Sequence, residues 1–148
     1  MIYTIGEMAK TLGVPTSTLR FYEKKGLLPF VERSSGGIRM FTSSDYECLK
    51  IIECLKKSGM SLKDIAKFIQ MVMQGDKTIE DRLKMFLKRR QEVQKQIEEL
   101  KETLKIIDYK CWYYETSKKA GTTSVPENMS IDEIPDEFKD VKEYLTSE

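Results

Sequence analysis

The stretch Thr18-Leu-Arg-Phe-Tyr-Glu-Lys-Lys-Gly-Leu-Leu-Pro29 decides how the chain is read. It starts as an amphipathic helix and ends as a turn at Gly26 and Pro29. Arg20, Tyr22, Lys24 and Lys25 bring polar or cationic tips to one short segment. Such a segment suits a surface that meets an anion. Just upstream, Thr4-Ile5-Gly6-Glu7 has the spacing of a capping box, with Thr4 as N-cap and Glu7 three residues on. Ile5, Met8, Ala9 and Leu12 recur at helical spacing, and Gly13 ends that helix. Pro15 is tolerated in a first helical turn, so a second short helix runs through Leu19 and Tyr22 to Gly26. Two short helices joined by a tight turn form a helix-turn-helix.

Downstream, Val31-Glu32-Arg33 and Ile38-Arg39-Met40-Phe41 flank Ser34-Ser35-Gly36-Gly37. A Gly-Gly pair accepts the positive φ of a tight hairpin, which predicts a two-stranded wing. Arg33 and Arg39 flank its turn, placed to reach past the hairpin. Thr42-Ser43-Ser44-Asp45 caps a third helix that ends near Ser58-Gly59. Ser61-Leu62-Lys63-Asp64 caps a fourth, which carries Ile65, Phe68, Ile69 and Val72 and closes at Gly75.

Beyond Gly75, Ile79, Leu83, Phe86, Arg90, Val93, Ile97, Leu100, Leu104, Ile107 and Cys111 alternate at steps of four and three. That is a heptad seam with one polar interruption, Arg90, which reads as a register device. A stripe this narrow cannot be buried by its own helix, and no second long helix follows. Another copy is therefore the expected partner, in a two-stranded coiled coil. The alternative, packing on the chain's own N-terminal part, needs third and fourth helices longer than these. The expected fold is mainly α, with a winged helix-turn-helix over residues 1–75, a coiled-coil dimerisation helix over 76–115, and a tail over 116–148. In the tail, Phe138, Val141, Tyr144 and Leu145 could line a small final helix.

The 148 residues suit one domain, and 33% charged with 40% hydrophobic residues is a soluble composition. No apolar stretch approaches the ~20 residues that span a bilayer. The N-terminus lacks a secretory pattern, and the three cysteines, Cys48, Cys54 and Cys111, are odd in number. Both point to reduced thiols in the cytoplasm. Net +1 hides an asymmetry. Residues 1–75 hold 11 basic and 7 acidic side chains, residues 76–120 hold 12 and 9, and residues 121–148 hold 2 and 8. A basic front and middle fit a polyanion partner. Histidine is absent, and so is any Gly-rich phosphate loop, so no enzyme is expected and no cofactor either.

The run Ile5-Gly-Glu-Met-Ala-Lys-Thr-Leu-Gly-Val-Pro-Thr-Ser-Thr-Leu-Arg-Phe-Tyr-Glu-Lys-Lys-Gly-Leu-Leu-Pro29, then Gly36-Gly-Ile-Arg-Met-Phe41, then a long coiled coil, resembles the MerR family of bacterial transcription regulators. The resemblance covers residues 1–115. It implies a winged helix-turn-helix and an antiparallel coiled-coil homodimer. It also implies double-stranded promoter DNA with an overlong, palindromic spacer, which the dimer distorts so that RNA polymerase engages both elements. The resemblance puts Arg20, Phe21, Tyr22, Arg39 and Phe41 on DNA-contacting positions; with Thr16, Ser17 and Thr18 on the first turns of the second helix, Arg33 on the wing, and Thr4 and Gly37, they form the expected DNA-binding set. In this reading Tyr22 donates its hydroxyl to a phosphate. Phe21 and Phe41 stand where many members carry tyrosine, and lack that hydroxyl.

Metal-sensing members carry cysteines at the start of the dimerisation helix and as a pair beyond its end. Here residues 76–82 hold none, and nothing after Cys111 is cysteine or histidine, so no metal is expected. The 28 residues from Gly121 are too few for a large drug-binding domain. The chain most resembles the short subgroup that senses reactive carbonyl or thiol stress. Those members carry a cysteine before a Gly-Met-Ser-Leu turn, which Cys54 in Glu53-Cys-Leu-Lys-Lys-Ser-Gly-Met-Ser-Leu62 matches. Lys56 and Lys57 nearby favour a thiolate. The competing reading of Cys54 is a packed small hydrophobe, which is also the reading of Cys48 and of Cys111 in the seam. Trp112, Tyr113 and Tyr114 either pack the helix end onto the partner's DNA-binding domain or wall an effector pocket. The alternative function is a DNA-independent ligand-binding or scaffold coiled-coil dimer, which the intact Arg20, Tyr22, Arg33 and Arg39 argue against.

Overall fold

The computed structural model describes residues 1–148 and divides the chain into two compact units, Met1–Gln91 and Glu92–Glu148. The first unit opens with strand β1 (Ile2–Tyr3) and helices α1 (Ile5–Leu12) and α2 (Thr16–Lys24). Strands β2 (Glu32–Arg33) and β3 (Arg39–Thr42) follow, then helices α3 (Ser43–Lys57) and α4 (Leu62–Met73). A short 3-10 turn at Asp76–Thr78 leads into α5 (Ile79–Ala120), which runs on into the second unit.

Local chemistry explains these boundaries. The Thr4–Glu7 capping box forms, with the Glu7 carboxylate accepting from the Thr4 amide at 2.8 Å. Gly13 then closes α1 in the left-handed conformation at φ +71°. Pro15 is the N-cap of α2 and stands outside it, so the helix starts one residue later than its first-turn reading implies. Thr42 and Asp45 form a second capping box at α3, and Ser61 caps α4. At the hairpin, Gly37 takes φ +78°, where a side chain would be strained.

The expected β2–β3 hairpin forms, with Glu32 opposite Met40, but a third strand joins it. β1 pairs antiparallel with the other edge of β3, Ile2 opposite Thr42, giving a three-stranded sheet ordered β1-β3-β2. The added strand satisfies β3 backbone groups that would otherwise form an open edge. Beneath it lies a core built on Met8, Leu19, Tyr22, Leu27, Phe41, Leu49, Ile52, Ile65 and Ile69, all fully buried. Burying each such side chain contributes roughly 1.5–3 kcal/mol.

Gly75, at φ +80°, reverses the chain before α5. The Thr78 hydroxyl donates to the Met71 and Gly75 carbonyls at 2.5 and 2.8 Å. Arg82 donates to the Gly75 carbonyl and Arg89 to that of Ser58, each at 3.2 Å. These arginines satisfy carbonyls at the ends of α3 and α4 and fix the first turns of α5. Phe86 also meets Phe68 edge-on, with ring centroids 5.2 Å apart.

In the second unit, α5 extends five residues past the expected limit of 115, to Ala120. A one-turn helix, α6 (Ser124–Glu127), and a 3-10 turn at Ile131–Glu133 precede α7 (Asp136–Thr146). The expected final helix is therefore present, with Val141 buried but Tyr144 and Leu145 exposed. Tyr109, Trp112 and Phe138 form a ring triangle with centroids 5.7–6.0 Å apart. No helix is long and apolar enough to cross a membrane.

Candidate nucleic-acid interface

The interface is built on α2 and the β2–β3 hairpin. Pro15 offers no side-chain acceptor, so no side chain caps the first amides of α2. Ser17 is exposed there, with Thr16 and Thr18 half-buried. Arg20 is exposed and makes no hydrogen bond or ion pair within the chain. Phe21 is also exposed, with the Lys25 ammonium 5.5 Å from its ring centroid. Arg20 and Lys24 on α2 and Lys25 at its C-cap thus leave three cationic groups on one short stretch of surface.

Two of the expected DNA contacts face the other way. Tyr22 is 1% exposed and belongs to the core, because position 22 continues the buried stripe begun by Leu19. Its hydroxyl donates to the Glu53 carboxylate on α3 and accepts from the Lys56 ammonium at 3.1 Å. Burial, and then the Glu53 carboxylate, push the Tyr22 hydroxyl above its ordinary range. Tyr22 therefore ties α2 to α3, with its hydroxyl engaged inside the chain by Glu53 and Lys56. Phe41 is fully buried at the end of β3, where an apolar ring fills the space between sheet and helices.

Arg33 and Arg39 do not extend past the hairpin either. They are directly opposed in the β2–β3 register, where two like charges repel. One carboxylate from α2, Glu23, takes both. Arg33 donates to Glu23 Oε1 at 2.7 Å and Arg39 to Glu23 Oε2 at 2.6 Å. Arg33 also donates to the Gly37 carbonyl at 2.9 Å, closing the turn. The hydrogen bond from Arg39 and, next among the favourable contacts, that from Arg33 hold the Glu23 carboxyl below its ordinary range. The roles of Glu23 and Glu53, and the pairing of Lys56 with Tyr22, escaped the sequence reading because the partners lie 10 to 34 residues apart. Thr4 sits in its own capping box, so its hydroxyl serves α1.

Cys54 is exposed on α3, beside a surface groove of about 470 Å³ shared with Thr11, Leu12, Tyr46, Lys50, Glu53 and Lys57. Cys48 is half-buried, and burial, then the Asp45 charge, push its thiol up to about 11. Its reading as a packing residue fits that setting. Cys111 is exposed on α5.

Most seam positions of α5 are open to solvent, with Leu83 56%, Leu100 68% and Leu104 55% exposed. Trp112 and Tyr113 pack against the chain's own tail, through Phe138 and a Tyr113 hydroxyl donated to the Thr123 carbonyl at 3.4 Å. Tyr114, the third of the cluster, is exposed and borders a shallow groove of about 410 Å³ with Ser117, Lys118 and Gly121. The larger groove of this unit, about 640 Å³, lies earlier along α5 between Glu102, Lys105 and Ile106 and the α7 residues Glu137, Asp140 and Tyr144.

Known proteins share the sequence pattern and the fold. Residues 3–72 match the family model described as MerR HTH family regulatory protein, and residues 46–108 match MerR, DNA binding. An uncharacterised HTH-type transcriptional regulator of Haemophilus influenzae is 41% identical over 136 residues, 92% of this chain and 98% of that one. The regulator AdhR of Bacillus subtilis is 33% identical over 59% of this chain and 62% of its own length. Among solved structures, HiNmlR superposes with a TM-score of 0.79 at 43% identity, covering 84% of this chain and 99% of that one. HiNmlR is described as a MerR family regulator lacking the sensor domain, and that structure holds it on promoter DNA.

Proposed function

We propose that this chain, which belongs to the MerR family of helix-turn-helix transcriptional regulators, works as a homodimer that binds a palindromic promoter spacer and distorts it when a signal arrives. The observation that carries the DNA reading is the unpartnered Arg20 on α2, flanked by Lys24 and Lys25 and followed by the wing with Arg33 and Arg39. Such a helix enters a major groove while its cations meet phosphates. The exposed seam of α5 supports the dimer, because apolar side chains at heptad spacing are buried by a second helix of the same pattern. Two copies read two half-sites, and RNA polymerase engages the promoter once its spacer is deformed.

The signal in this reading is a thiol-reactive carbonyl compound at Cys54, in the cytoplasm. Exposure of Cys54 beside a groove shared with Lys50 and Lys57 supports access of the reagent to its sulfur. The thiolate adds to the carbonyl carbon, and the resulting oxygen takes a proton from water. Its neighbour Glu53 holds the Tyr22 hydroxyl, so a disturbance at this point of α3 reaches the recognition helix through one hydrogen bond. The test is run-off transcription from the promoter upstream of the chain's own gene, with and without a reactive aldehyde. Induction by the wild type that disappears in Cys54→Ser supports the reading. Induction that survives Cys54→Ser removes Cys54 as the sensor.

A further inference from the structure

The wing arginines are held by a residue that no feature of the sequence singles out. Arg33 and Arg39 face each other across the hairpin and share the two oxygens of Glu23, at 2.7 and 2.6 Å. Glu23 lies on α2, one turn beyond Arg20. The carboxylate therefore sits among the cations that the proposed function assigns to DNA. Simple electrostatics makes it a liability, since a negative charge at the interface repels phosphate. A carboxylate placed there, yet bound on both oxygens, does something else.

We propose that Glu23 is a positioning residue of the DNA interface: it sets the angle of the wing against the recognition helix by holding Arg33 and Arg39 together. The proposal rests on the reading of α2 and the wing as the DNA-binding surface. Three features support it. The two guanidinium groups stand opposite one another, so without a shared anion they separate. Arg33 also donates to the Gly37 carbonyl, so the clamp extends to the tip of the hairpin. β2 is only two residues long and has no strand beyond it, so its own ladder fixes its orientation weakly. Contacts to phosphate position a protein on its duplex, and their geometry decides whether base contacts fall into register. Glu23 acts on that geometry through the arginines and touches no base itself.

The test uses the full-length protein and a duplex selected from random sequence by the wild type, with a scrambled duplex of equal length as competitor. Glu23→Gln keeps the shape and removes the charge. Clamp loss predicts that affinity for the selected duplex falls about tenfold, as expected when one positioned contact is lost, while scrambled DNA is bound as well or slightly better. Glu23→Asp, too short to span both arginines, gives an intermediate loss. The melting temperature of each variant, read on the same samples, reports the fold separately. Tighter binding of both duplexes by Glu23→Gln, with a steeper salt dependence, overturns the proposal and makes Glu23 a brake on free arginines. Equal weakening on both duplexes with a lower melting temperature overturns it too, because Glu23 then serves only the fold. If the wild type selects no sequence at all, the reading of the surface fails and the proposal falls with it.

Discussion

Replacing Tyr22 by phenylalanine removes one oxygen and leaves the buried ring in place. That oxygen donates to Glu53 and accepts from Lys56 at 3.1 Å. Both bonds involve charged partners, which strengthens them. Lys56 is exposed and Glu53 half-buried, so both regain water when the hydroxyl leaves. The loss is therefore set at the low end of the range for a hydrogen bond to a charged group, about 1.5–2 kcal/mol. For a folding unit of this size each kcal/mol lowers the melting temperature by about 4–8 °C. Urea and thermal melts of wild type, Tyr22→Phe, Glu53→Gln and the double variant complete a cycle. A coupling of about 1 kcal/mol between the two positions is expected. Affinity for a selected duplex, measured well below the melting transition, stays within about threefold of wild type, less than a lost DNA contact costs. The opposite pattern, unchanged stability with a large loss of DNA affinity, would show that the hydroxyl meets phosphate and would refute its assignment to the α2–α3 tie.

Phe41→Ala removes a fully buried ring and should destabilise by about 3–5 kcal/mol, seen as a large shift of the urea midpoint. Cys48 stays a thiol until about pH 11, so at pH 8 its alkylation lags far behind that of Cys54. Mass spectrometry of peptides after brief iodoacetamide treatment reads the ratio, and the Cys48 rate should climb about tenfold per pH unit below that value. Leu100→Lys places a charge on the exposed seam and should shift sedimentation equilibrium toward monomer, with the melt of the first unit unchanged.

Local signals in the sequence located the helices closely. The Thr4–Glu7 and Thr42–Asp45 boxes and the closing Gly13 and Gly75 are short-range chemistry, and each fell where its spacing put it. The heptad pattern likewise gave one long helix with an exposed seam. What stayed hidden depends on contacts between distant residues. β1 has two residues and exists because β3, far along the chain, pairs Thr42 with Ile2 and Phe41 with Tyr3. The directions of Tyr22 and Phe41 follow from which face the tertiary core covers. A helical wheel through Leu19 could have placed Tyr22 inside, but nothing local says that its hydroxyl finds Glu53. Glu23 shows the same limit, since only the hairpin register brings Arg33 and Arg39 to one carboxylate. At the far end, α5 overran its expected stop because nothing breaks the helix before Gly121, at φ +74°.

Hydroxyl-radical footprinting of the wild type on its selected duplex tests the central claim most directly. A dimer that presents two copies of α2 and its wing predicts two protected half-sites related by a dyad, about one or more helical turns apart. A single protected patch with no dyad would contradict the account.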